Sequence, residues 1–81
     1  SSVMATNENV RIVNPIRDNI SIIVPDNQTI QAVTLYDICG HTVLQSTSGD
    51  TKLDVTGVAK GTYIALVKIG GKNYTLKCVK E

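Results

Sequence analysis

Gly70-Gly71 constrains this chain more than any other pair of residues. The pair separates two runs rich in β-branched and aromatic residues, and consecutive glycines supply the positive φ that both centres of a type I′ turn require. A two-residue loop then fixes the register of one long hairpin from Gly61 to Lys80. Ile69 faces Lys72, Val67 faces Tyr74, Ala65 faces Leu76 and Tyr63 faces Cys78. Side chains alternate across a strand, so Tyr63, Ala65, Val67, Ile69, Tyr74, Leu76 and Cys78 share one apolar face, which reads as core. The other face carries Thr62, Ile64, Leu66, Lys68, Asn73, Thr75, Lys77 and Val79. It is too polar for a core and too apolar for an ordinary solvent face.

The rest of the chain supplies strands for this hairpin to pack with. Ser1 to Asn9 is polar and aperiodic and reads as a flexible linker, with the ordered domain at residues 10–81. Val10 to Val13 is a short strand stopped by Asn14-Pro15, since proline lacks a backbone donor and biases the residue before it toward extended geometry; a sheet edge is its expected place. Asn19 to Val24 alternates with Ile20, Ile22 and Val24 on one face, and Pro25-Asp26-Asn27 closes it as a turn. Gln31 to Asp37 follows, Val33 and Leu35 inward, Thr34 and Tyr36 outward. Asp37 and Gly40 suit the first and left-handed positions of a three-residue hairpin loop with a bulge. Thr42 to Gln45 returns with Val43 beside Leu35, and Thr51 to Val55 points Leu53 and Val55 inward. Seven short strands at this spacing, with no helical periodicity, predict an all-β, seven-stranded antiparallel β-sandwich of immunoglobulin-like outline. A small barrel is the alternative.

At 81 residues this is one domain, and a chain so short buries only about 60% of its unfolded surface, leaving little core to give up to a deep catalytic cavity. Without Phe or Trp, Val, Ile and Leu carry the packing. The net charge is +1 with cations and anions read as scattered, which disfavours nucleic acid. No apolar run approaches a membrane span, and the N-terminus lacks the pattern of a secretory signal.

Chemistry finds little to work with. Cys39 and His41 sit two apart across a bulge with no further group evident to orient the imidazole, so they read as a turn histidine beside an ordinary thiol. Cys39, His41 and Cys78 match no closed zinc site, and no cofactor or metal is expected. A Cys39–Cys78 disulfide requires Cα atoms within about 7 Å, which a turn tip and a core face make unfavourable; free thiols are the expectation. Asp18, Asp26, Asp37, Asp50 and Asp54 all stand at turns or strand ends, where carboxylates bond turn amides. Tyr63, just after Gly61-Thr62, fits a corner tyrosine whose hydroxyl bonds a nearby backbone group. These residues do not make an enzyme.

Three motifs in order carry a resemblance. They are Asn14-Pro15 followed by Asp18-Asn19-Ile20, then Leu35-Tyr36-Asp37-Ile38-Cys39-Gly40-His41, then Gly61-Thr62-Tyr63 with Gly70-Gly71, Tyr74 and Lys77-Cys78-Val79-Lys80. From about Val10 to Glu81 the chain resembles the type A C-terminal sorting domain of the type IX (Por) secretion system of Bacteroidetes. It departs from that pattern at Val13, where the family usually has proline, and at His41, where it usually has Arg or Lys. The second change puts any salt bridge at position 41 in doubt.

The resemblance implies a non-catalytic module attached to an N-terminal cargo domain. Such domains pass through the periplasm, are recognised by an outer-membrane translocon and its shuttle protein, and leave the cargo on the outer-membrane surface or outside the cell. A sortase-like protease usually removes them upstream of the fold, here within Val3, Met4, Ala5, Thr6, Asn7, Glu8 and Asn9. The residues that carry the resemblance, with the outer hairpin face, are the recognition candidates: Asn14, Pro15, Tyr36, Asp37, Gly40, Gly61, Tyr63, Gly71, Lys77, Val79 and Lys80. Exposed strand edges leave the isolated domain open to strand-swapped dimerisation. The competing reading is an immunoglobulin-like accessory module that binds a glycan or protein, which predicts a cluster of exposed aromatics, with Tyr36 the one that qualifies. A third, a thiol enzyme using Cys39 and His41, needs a depressed thiol pKa.

Overall fold

The computed structural model describes residues 3–7, 10–14, 16–24 and 28–81, residues 3–7 and 14 by their main chain. Eight strands follow one another: β1 (Val3–Asn7), β2 (Val10–Asn14), β3 (Asn19–Ile23), β4 (Ile30–Asp37), β5 (Thr42–Ser46), β6 (Lys52–Asp54), β7 (Gly61–Ile69) and β8 (Lys72–Lys80). They form two four-stranded antiparallel sheets in the orders β1-β2-β3-β6 and β5-β4-β7-β8. The molecule is an all-β sandwich of immunoglobulin-like arrangement, not a closed barrel.

The seven strands read from the sequence are all present, and β1 is added to them. Val3–Asn7 pairs antiparallel with β2, from Val3 opposite Asn14 to Asn7 opposite Val10. With β3 on its other side, β2 is an interior strand and not the edge expected of it. Ladder bonds run between main-chain groups and leave no mark on side-chain periodicity, so a short strand without alternation, set in a polar stretch, reads as linker. The turn expected at Pro25-Asp26-Asn27, and the roles given to Pro15, Glu8 and Asn9, fall outside the described residues.

The β7–β8 hairpin has the anticipated register throughout, from Ile69 opposite Lys72 to Tyr63 opposite Cys78. Gly70 and Gly71 have φ of 57° and 82°, both in the left-handed region that a type I′ turn needs. Inward side chains from both sheets close one core, including Val10, Ile12, Ile20, Ile22, Val33, Leu35, Leu53, Val55, Ala65, Val67, Leu76 and Cys78.

The β4–β5 turn is also as expected: Gly40 N donates to Asp37 O at 3.0 Å, and Asp37 N donates to His41 O at 3.0 Å. Beyond it the register differs from expectation. The ladder shifts between Leu35 and Tyr36, so Leu44, not Val43, lies opposite Leu35. Leu44 packs against the core while Val43 is exposed. A bulge puts two residues against one, and the side chains beyond it change faces.

The sheets converge along the β2–β8 side. Ile16, just past β2, forms a parallel bridge to Lys80: its N–H donates to Val79 O at 2.7 Å, and Glu81 N donates to its carbonyl at 2.9 Å. The end of β8 is thereby tied to the segment that leaves the first sheet.

Candidate functional site

The outer face of the β5-β4-β7-β8 sheet is built by alternation from the strands just described. Register places Tyr36, Ile64 and Lys77 in one cross-strand row and Thr34, Leu66 and Thr75 in the next. Lys68 and Asn73 lie toward the hairpin turn, and Thr62 and Val79 toward the other end. Directly opposite side chains in such rows touch. Thr34 is buried among its neighbours on this face, Tyr36, Ile64 and Leu66 are half-buried, and Lys68, Lys77 and Val79 are exposed. The result is an apolar strip with a lysine at either end, belonging to the most extensively paired element of the fold.

Most of the other recognition candidates serve the fold. Tyr63 is buried and its hydroxyl donates to Ala59 O at 2.6 Å, the corner bond anticipated from Gly61-Thr62-Tyr63. Gly40 has φ 89° at the β4–β5 turn, and Gly71 completes the hairpin turn. Gly61 pairs with Lys80 at the base of that hairpin. Lys80 itself is only 8% exposed, on the same side of β8 as Leu76 and Cys78, and its charge lies close enough to Asp54 to help hold that carboxyl below its ordinary value, after the hydrogen bonds from the Thr56 amide and hydroxyl. Asn14 ends β2. Tyr36, Lys77 and Val79 remain, all on the outer face. The structure thus divides the candidates into a buried or turn-forming set and a surface set.

A family model described as a secretion system C-terminal sorting domain matches residues 14–81. The chain belongs to this family. It is a C-terminal sorting signal of the type IX secretion system, a role that implies an N-terminal cargo, engagement with the secretion machinery, and export across the outer membrane to the surface or beyond. The family is not one of enzymes. No curated protein matches the chain.

One detail of the sorting domain corrects the sequence reading. Asp37 does orient the imidazole: its Oδ2 lies 3.2 Å from His41 Nδ1, and its Oδ1 accepts from Cys39 N and His41 N, each at 2.9 Å. A salt bridge at position 41 therefore exists whenever the histidine is protonated. The hydrogen bond from the His41 amide, more than any other influence, holds the Asp37 carboxyl below its ordinary value. The cluster is an exposed turn whose carboxylate locks the backbone. Cys39 and Cys78 are both free, the first exposed and the second buried, and among the described residues Cys39, His41 and Cys78 are not gathered into a metal-binding group. The aromatics do not cluster either: Tyr36 is on the outer face, Tyr63 is buried, and Tyr74 packs against the core.

The charges are less scattered than they looked. Between Val55 and Lys80 the chain has five lysines (Lys60, Lys68, Lys72, Lys77 and Lys80) and no carboxylate. Residues 1–54 hold six of the seven carboxylates against Arg11, Arg17 and Lys52. A net charge of +1 conceals this separation, which a windowed count would have found.

Proposed function

We propose that the sorting domain is read as a folded surface, not as a linear peptide, and that the surface read is the outer face of the β7–β8 hairpin. The supporting observation is the division of the motif residues. Tyr63, Gly40, Gly71, Asp37 and Lys80 build turns, a corner and the base of the hairpin, so the motif specifies a shape before it specifies a contact. Ile64, Leu66, Tyr36 and Val79, with Lys68 and Lys77, are what that shape presents. An apolar centre with a polar rim is how protein interfaces are built.

In this reading the translocon and shuttle protein engage the sandwich in the periplasm, the cargo follows it across the outer membrane, and a sortase-like protease then cuts within Val3 to Asn9, leaving the cargo attached at the surface. Because Val3–Asn7 is paired to β2, and a protease needs its substrate strand free of a sheet, β1 has to peel away before a cut inside it.

A reporter fused to the domain tests the central claim. Deleting Lys77 to Glu81, or replacing core Val67 by Asp while leaving every motif residue in place, should abolish secretion. Normal secretion of either variant would rule out a folded address. The accessory-module reading finds no support in the aromatics, which are divided between the outer face, where Tyr36 stands, and the core side, where Tyr63 and Tyr74 pack.

A further inference from the structure

The geometry points to a partner for the outer face of β7–β8: a protein surface whose apolar centre is ringed by carboxylates. The inference rests on the folded-surface reading above and names the chemistry that would recognise that face. It starts from charge. None of the outward positions on the four strands of this sheet is Asp or Glu; the side chains there are Ala32, Thr34, Tyr36, Thr42, Gln45, Thr62, Ile64, Leu66, Lys68, Asn73, Thr75, Lys77 and Val79. Among the described residues, the charged side chains on this face are Lys68 and Lys77. The carboxylates of the chain lie almost wholly in residues 1–54, and residues 55–80 hold none.

The spacing selects a protein over a membrane. Lys77 lies opposite Ile64 and Lys68 is four residues further along β7, a separation of about 13 Å along the strand. The Leu66 row lies between them, and Ile64 stands beside Lys77. Anionic lipid surfaces are bound by dense groups of about four to eight cations, whereas here two exposed lysines bracket half-buried aliphatics on the face of a sheet. That arrangement complements an apolar patch with carboxylates about 13 Å apart at its ends. The long-range field of the lysines accelerates encounter with such a patch, and salt screens it.

The test uses the 81-residue chain itself against two probes: the detergent-solubilised translocon–shuttle complex, and vesicles rich in phosphatidylglycerol. Binding of the parent to the complex should weaken several-fold between about 50 and 300 mM salt. The Lys68→Glu/Lys77→Glu chain, confirmed as folded by circular dichroism, should lose about tenfold or more, and Lys68→Gln/Lys77→Gln an intermediate amount. Lys52→Glu, an exposed position on the other sheet, should stay within about twofold of the parent. Undiminished binding by the folded double-reversal chain, salt-independent binding, or binding to vesicles in preference to the complex would each overturn the inference. Val67→Asp separates the two levels of argument. If that core-disrupted chain binds as the parent does, the folded-surface reading fails; if it loses binding while the double reversal keeps it, the acidic partner alone is wrong.

Discussion

Cys78 lies on the inner face of β8 opposite Tyr63 with no exposed surface, and burial pushes its thiol up to about 11. At pH 8 only ~0.1% of it would be thiolate, and even that fraction is out of reach of solvent. Cys39, at the tip of the β4–β5 turn, is exposed. Alkylation of the native chain without reductant should therefore add one label, and alkylation in denaturant two; mass spectrometry reads both, and no label in either state would mean a disulfide. The same turn makes a second prediction. Hydrogen bonds from the His41 and Cys39 amides favour the charged form of Asp37 and lower its pKa. A carboxyl depressed in the folded state stabilises above its unfolded value, about 3.9, and loses that contribution as pH falls through the lower folded value. Asp37→Asn keeps an acceptor of the same shape and removes the titration. The gap in urea midpoint between parent and Asp37→Asn should be widest near neutral pH and narrow toward pH ~3. A gap that stays constant across this range would show that shape, not charge, is what Asp37 contributes.

At the scale of elements, legibility followed how much of the pairing is written in side chains. The β7–β8 hairpin was readable to the residue because two glycines set the loop length and strict alternation set the faces. The β4–β5 turn was readable from Asp37 and Gly40, but the bulge beyond it was not, and one extra residue moved Leu44 to the place assigned to Val43. Strand β1 was invisible because Val3–Asn7 has no alternating pattern and is held by main-chain pairing to β2. The orientation of His41 was missed for a similar reason, since a contact four residues away depends on how the turn folds back. Strand β1 also carries a consequence for cleavage. Thr6 and Arg11 are Cα partners, and antiparallel partners lie about 4.5–5.5 Å apart, inside the range a disulfide spans. A Thr6→Cys/Arg11→Cys pair, made with Cys39→Ser to avoid mispairing, would lock β1 to β2. The oxidised fusion should reach the cell surface unprocessed, and reductant should restore cutting. Processing of the oxidised form at the parental rate would place the cut upstream of β1, where no peeling is needed.

For the whole molecule, the folded unit begins before the segment that defines its family. The family match starts at residue 14, yet Val10 and Ile12 of β2 are 1% and 0% exposed and fill the core from the first sheet. Each such side chain contributes about 1.5–3 kcal/mol when buried, and values from burial are upper estimates. A domain of this length has a total stability of about 4–12 kcal/mol. Losing both side chains together with the β2 ladder removes a large part of that margin, and it frees β3 along the edge that β2 covered. Ile16 would keep its bridge to β8 in sequence, but the strand that delivers it there would be gone. A chain of residues 10–81 should thus unfold close to the full-length urea midpoint, having given up the pairing of β1 with β2 and its contacts against β8 but none of the buried core side chains of β2. A chain of residues 14–81 should be largely unfolded at ambient temperature, although it contains every residue of the family match. If the address is a folded surface, reporters should follow the same order, with 10–81 exported like the full domain and 14–81 retained. A 14–81 chain that unfolds at the full-length midpoint would show that β2 adds nothing to the core. Efficient export of an unfolded 14–81 chain would instead show that the address is linear.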